Sequence, residues 1–261
     1  MRKFIGVFFL LAGMSAQAAT TNEAFPGRPR FPDVTPISLA DLSTRYKEVV
    51  IVDVRSKYEY DTLRVKDARN ISVGSKKFVD EVRKLRKSTK QPIVFYCNGH
   101  TCMKSYKATR KAVNARIPDV FAFDAGIFDW AKKNPQRTVL LGDALDDPKK
   151  LISKSEFKKK LLPAKEFSKF VGKKSVLVLD VRGRLQRAGV GLYPFQEWHA
   201  PLENEIKLNN FIKDAKKKGK VLMVYDQVGK QVRWLQYRFE KAGIKEYYFM
   251  KKGAQGYIDS I

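Results

Sequence analysis

Cysteine and histidine occur only twice each in 261 residues, and acidic side chains are outnumbered almost two to one by basic ones. These shortages exclude whole classes of explanation. Two cysteines, Cys97 and Cys102, cannot build a multi-disulfide scaffold. Together with His100 they leave a tetrahedral metal site one ligand short, at a spacing unlike zinc motifs, so no metal and no cofactor is expected. No Gly-rich nucleotide loop and no paired-carboxylate arrangement stands out. Beyond the first residues, no apolar run approaches the ~20 residues that a membrane span needs.

The shortage of acid gives the second constraint. With 52 Lys+Arg against 27 Asp+Glu, the formal net charge is +25. Clusters such as Lys158–Lys160 and Lys216–Lys218 read as solvated helix faces. They also suit the steering of small anions or attraction to an anionic envelope surface. Nucleic acid is not expected as a partner, because no recognition motif accompanies the charge. The hydrophobic share, 44%, is enough for a packed core.

The N-terminus has the pattern of a secretory signal: Arg2 and Lys3, the apolar stretch Phe4 to Leu11, then Ala16-Gln17-Ala18. Residues 1–19 are therefore expected to be a signal peptide and the remainder periplasmic or secreted. In an oxidising compartment, two cysteines are most simply a disulfide. A bridge from Cys97 to Cys102 closes so small a loop that it adds roughly 2 kcal/mol at most, which favours reversible chemistry over a structural staple.

An internal repeat supplies the architecture. Val49-Val50-Ile51-Val52-Asp53-Val54-Arg55 recurs as Val176-Leu177-Val178-Leu179-Asp180-Val181-Arg182. Ile93-Val94-Phe95-Tyr96-Cys97 recurs as Leu222-Met223-Val224-Tyr225-Asp226, and the stretch from Phe121 to Gly126 recurs from Tyr248 to Gly253. Ordered matches at a nearly constant offset mean duplication of whole domains. The expected domains are residues 20–145 and 151–261, with Asp146 to Lys150 as linker. Apolar β-rich runs alternate with amphipathic stretches such as Lys76 to Lys87, where Phe78, Val79, Val82 and Leu85 share a side. That alternation predicts an α/β fold, each half a parallel sheet with helices on both faces.

Both cysteines lie in Tyr96-Cys97-Asn98-Gly99-His100-Thr101-Cys102-Met103-Lys104-Ser105. The run Pro92 to Tyr96 reads as a buried strand and Ser105 to Ile117 as a helix. A thiol between them meets free backbone N–H groups and a helix dipole, both of which favour anions. Cys97 is the expected nucleophile.

Val52-Asp53-Val54-Arg55 with Glu59-Tyr60, then Ala68-Arg69-Asn70-Ile71, Tyr96-Cys97, and Gly126 with Trp130 together resemble the rhodanese (sulfurtransferase) superfamily in tandem arrangement. The resemblance implies that Cys97 accepts sulfane sulfur from a small anionic donor such as thiosulfate. The persulfide then passes its sulfur to cyanide or to a thiol, on a small molecule or a protein. The second half resembles the family more weakly, and Asp226 stands where its cysteine would be. A carboxylate carries no persulfide, so residues 151–261 are expected to be catalytically silent, packing over the site or binding a partner. The stretch between Cys97 and Ser105 is longer than in the family. Phosphatase relatives of the fold need an arginine where Met103 stands.

In the substrate-binding loop, Asn98, Gly99, His100 and Thr101 are expected to offer backbone N–H groups, with Cys102, Met103 and Lys104 completing the cradle. Gly99 is either a conformational requirement or a turn residue. His100 either donates to the substrate or is an exposed loop residue. Cys102 either attacks the persulfide, protects Cys97 from over-oxidation, or packs at the helix start. Lys104 either supplies charge to the anion or is a surface lysine. Asp53 and Arg55 are expected to be ion-paired and structural. Two other functions fit the same residues: a thiol–disulfide oxidoreductase using Cys97 and Cys102, and a non-enzymatic basic envelope-binding module.

Overall fold

The computed structural model describes residues 24–189 and 191–261; the expected signal peptide, residues 1–19, lies outside the described residues. The chain divides into two compact units, one of residues 24–56 and 65–138, the other of residues 57–64 and 139–261. Residues 57–64, expected within the first half, belong by their contacts to the second unit. There Tyr58 lies under the Arg238 guanidinium, 5.0 Å from ring centroid to cation.

In the first unit, Ser38 caps helix α1 (Leu39–Thr44) by accepting the Asp41 N–H at 3.0 Å. Strand β1 (Val50–Asp53) follows, then β2 (Arg69–Asn70), helix α2 (Phe78–Ser88) and β3 (Ile93–Tyr96). Helix α3 (Lys104–Asn114), β4 (Val120–Phe123) and α4 (Gly126–Lys133) complete it. The sheet order is β2-β1-β3-β4, and every pairing is parallel. All four residues of β3 are buried, as a parallel strand covered on both faces requires. The amphipathic stretch from Lys76 becomes α2, which buries Phe78, Val82 and Leu85 against the sheet. Ala108 and Ala112 of α3 join the same core, where their small side chains admit close approach to β3.

The second unit repeats this plan. Strand β5 (Leu161–Leu162) and helix α5 (Ala164–Ser168) precede β6 (Val176–Asp180) and β7 (Glu197–His199). Helix α6 (Glu205–Lys217), β8 (Val221–Tyr225), α7 (Val232–Ala242), β9 (Tyr247–Met250) and α8 (Gly253–Ile258) follow. Its sheet order is β7-β6-β8-β9-β5, again all parallel. The segments that match in sequence therefore fall on β1 and β6, β3 and β8, β4 and β9. Residues 184–205 supply the edge strand β7. Its Glu197 is held by Arg187 at 3.2 Å and by the Tyr225 hydroxyl at 2.5 Å.

At the end of β1 the repeat carries a buried ion pair. Arg55 and Asp53 have no exposed surface, and the guanidinium meets the carboxylate at 2.9 and 2.6 Å. Arg182 and Asp180 form the same clamp at 3.0 and 2.9 Å. Replacing Asp53 by Ala leaves a cation buried without its partner. Urea denaturation is expected to register a loss of about 3–5 kcal/mol, with Asp180→Ala costing a similar amount in the second unit.

Candidate active site

Cys97 is the first residue beyond β3, and its carbonyl accepts the Ile127 N–H at 3.0 Å. This bond ties the loop to the start of α4. Gly126 has φ +70°, and a Cβ there would run into the backbone of Gly99 and Asn98. Gly99 itself has φ +145°, and a Cβ on it would stand 3.0 Å from the Ala125 carbonyl. Two glycines thus let two backbones touch, and the Gly99 carbonyl then turns the loop by accepting the Cys102 N–H at 2.7 Å. Asn98 is fixed from below: its Oδ1 accepts from Arg55 at 3.1 Å. Asn70 donates to the carbonyls of Asp53 and Arg55, both at 3.1 Å, so the Asp53–Arg55 clamp and the cysteine loop form one rigid block.

The two thiols have opposite surroundings. Side chains alternate along β3, and Cys97 continues the face of Phe95 into the core among Val54, Phe78 and Ala108. It has no exposed surface. Its thiol donates to the Cys102 carbonyl at 3.2 Å and toward the Ser105 hydroxyl at 3.5 Å. Burial pushes this thiol well above the ordinary range, with the neighbouring Cys102 sulfur adding to the shift. Cys102 is half-buried, and both cysteines are free thiols. Hydrogen bonding from the Cys97 thiol lowers Cys102 to about 6, helped by the N–H groups of Lys104 and Asn98 and by the Lys104 charge. The thiolate that the loop was expected to stabilise at Cys97 is therefore stabilised at Cys102. The strand's alternation, carried one residue past its end, is the cause.

The other loop residues separate in the same way. Thr101 is exposed, while Asn98, Gly99, His100 and Met103 are half-buried. Lys104 is the first residue of α3, and Met103 before it gives no side-chain cap. Met103 packs against Phe31, Val34 and Tyr106 rather than facing the loop's interior. His100 is not a loose loop residue: its Nε2 lies 2.7 Å from Asp129 of α4 and its Nδ1 3.0 Å from the Ala24 carbonyl. Phe25 stacks on its ring at 4.3 Å. Asp129, Ala24 and Phe25 carry no signal in the sequence, since they stand far from the cysteines along the chain. Among the described residues, no group of three or more metal-ligating side chains comes together. Among them too, no helix is long and apolar enough to cross a membrane.

In the second unit, Asp226 takes the place of Cys97 after β8. Its carboxylate accepts the N–H groups of Val228 at 3.0 Å, Gln231 at 2.5 Å and Val232 at 3.1 Å, and that of Gly229. The Ala254 N–H reaches the Asp226 carbonyl at 2.8 Å, just as Ile127 reaches Cys97. This loop is an anion cradle already filled by the chain's own carboxylate.

Residues 35–133 match the model of the Rhodanese-like domain family. No curated protein matches the chain. Among solved structures, a thiosulfate sulfurtransferase from Pseudomonas aeruginosa is 17% identical; the match covers 86% of this chain and 44% of that one, with a TM-score of 0.39. BH2092 from Bacillus halodurans is 21% identical over 56% of this chain and 96% of its own, at a TM-score of 0.37. An As-Sb reductase from Leishmania major is 15% identical over 41% and 86%, also at 0.37. Overlaps this loose carry no functional argument.

Two outcomes follow from the thiol geometry. Iodoacetamide should alkylate native Cys102 with a half-maximal rate near pH about 6, the thiolate being present above that pH, while Cys97 stays unmodified until the protein unfolds. In Cys97→Ala the hydrogen bond that lowers Cys102 most is gone, so the midpoint should move up toward the ordinary thiol value of ~8.5; peptide mass mapping of the alkylated sites measures both.

Proposed function

We propose that the rhodanese-like domain of residues 35–133 is a sulfurtransferase that moves sulfane sulfur through the Cys97/Cys102 loop to a thiol or to cyanide. The observation that carries this reading is the pairing of a half-exposed, easily ionised thiol with a sealed, protonated one at a strand end. The Cys102 thiolate attacks the outer sulfur of thiosulfate or a related anion. A new S–S bond forms on Cys102 while the donor's own S–S bond breaks, and sulfite departs with that electron pair. The acceptor thiolate or cyanide then takes the terminal sulfur and returns Cys102 to thiolate. Cys97 stays protonated, and its thiol holds the Cys102 backbone carbonyl behind the reacting sulfur. The expected order of the thiols is thereby reversed, with Cys102 receiving the sulfur and Cys97 supporting it.

The surplus of basic residues favours anionic donors, and Lys104 is the cation beside the reacting sulfur. The second unit, whose cradle holds Asp226, takes no part in the chemistry. Export to the periplasm or outside the cell completes the reading, on the pattern of residues 2–18. The bond from the Cys97 thiol to the Cys102 carbonyl also favours a second function, thiol–disulfide exchange between the two cysteines, both of which are free.

Treatment of the reduced protein with thiosulfate should add the mass of one sulfur atom, removable by cyanide. The addition should persist in Cys97→Ser and vanish in Cys102→Ser. If neither cysteine takes up sulfur, sulfur transfer is refuted. A reversible Cys97–Cys102 disulfide with no such uptake establishes the exchange reaction instead.

A further inference from the structure

The partners of His100 impose a requirement on its protons. A backbone carbonyl and an ionised carboxylate only accept hydrogen bonds, and a neutral imidazole has one N–H to give. Nδ1 faces the Ala24 carbonyl at 3.0 Å and Nε2 faces Asp129 Oδ2 at 2.7 Å, so both bonds exist together only when the ring carries two protons. On losing one, His100 keeps either Asp129 or Ala24.

What Ala24 belongs to makes this choice matter. Residues 24–34 run along α3 and hold the cysteine loop at two points. At one end Phe25 stacks on His100. At the other, Phe31 and Val34 cluster with Met103 and Tyr106. Cys102 lies between His100 and Met103 in the sequence, so the two holds bracket it. The segment is itself fastened: Arg28 lies 4.2 Å over the Phe25 ring and pairs with Asp124 at 2.9 Å, and Arg110 grips Asp33 at 2.9 Å. Gly27 packs so closely on the Tyr106 ring that no side chain fits there.

We propose that Asp129 and residues 24–34 form a clasp that positions the cysteine loop through a doubly protonated His100, and that the clasp loosens when the ring becomes neutral. Asp129 is thus a positioning residue: it acts on the loop through His100. The charged and titratable groups on the segments that carry and contact the ring are Asp129, Lys132 and Lys133 on α4, Arg28 on the clasp with Asp124 beyond it, Lys104 at the start of α3, and Cys102 in the loop. Of these, Asp129 is bonded to the ring. The inference concerns the same loop as the sulfur-transfer reading, but its test involves no sulfur donor, so either can fail alone.

The test uses the full ¹⁵N-labelled chain. His199→Gln assigns the ring signals, because the chain has two histidines, and Cys102→Ser separates the ring's titration from that of the thiol. At the acid end both His100 nitrogens should carry protons. As one is lost, hydrogen exchange of the Arg30 and Phe31 amides, which bond to the Gly27 carbonyl, should accelerate about tenfold beyond the intrinsic pH effect, the loss expected for one hydrogen bond to a charged group. In Asp129→Asn the amide can donate to neutral Nε2 while Nδ1–H serves Ala24, so this protection should become independent of pH. A singly protonated His100 at the acid end overturns the proposal. So does equal exchange on both sides of the titration, or an Asp129→Asn variant that retains the wild-type response.

Discussion

A guanidinium with no access to water has to be neutralised where it stands, and that requirement organises the loop end of the first sheet. Arg55 meets it with three contacts to Asp53, which fix the last residue of β1 against the first turn after it. Its Nη1 also reaches Asn98, the residue immediately after Cys97. An ion pair that contributes little net stability, because desolvation offsets most of its attraction, here holds the chemistry-bearing loop in register with the sheet. The same clamp recurs at Asp180 and Arg182 in a unit whose loop has no thiol, so its role precedes any particular chemistry at the strand end.

The two loops show what the strand-to-helix turn does by default. In the second unit the turn gathers four N–H groups onto one carboxylate. A cradle of amides buried with nothing to bond would be costly, and Asp226 relieves that cost from within. In the first unit no carboxylate is supplied. There the N–H groups of Asn98 and Lys104 favour negative charge on Cys102 instead. The second loop is thus closed to an anion from outside by its own carboxylate.

Strands and helices were legible because their signals are local. The apolar runs became β1, β3, β6 and β8, and the stripe through Phe78, Val82 and Leu85 became the buried face of α2. The place of Cys97 at a strand end was legible for the same reason. Which thiol would be ionised was not, because a loop hides where each side chain points. Cys97 still obeys the strand's two-residue period and enters the core, whereas Cys102 sits beyond a turn set by Gly99 and Gly126. That contact joins residues from two different strand-to-helix turns, and no local pattern encodes it. His100 is the clearest case: its partners Asp129 and Ala24 lie 29 and 76 residues away. The edge strand β7 escaped notice for a related reason, since three residues leave no periodic trace.

The order of the thiols follows from the coupling between them. The two thiols titrate as a linked pair, because a second charge would form beside the first. The pair therefore holds a single negative charge and a single proton, and burial decides which sulfur has which. Water and backbone donors solvate the charge at Cys102; at Cys97 only core side chains would surround it. Moving the charge to Cys97 would mean both desolvating an anion and losing the thiol proton that reaches the Cys102 carbonyl.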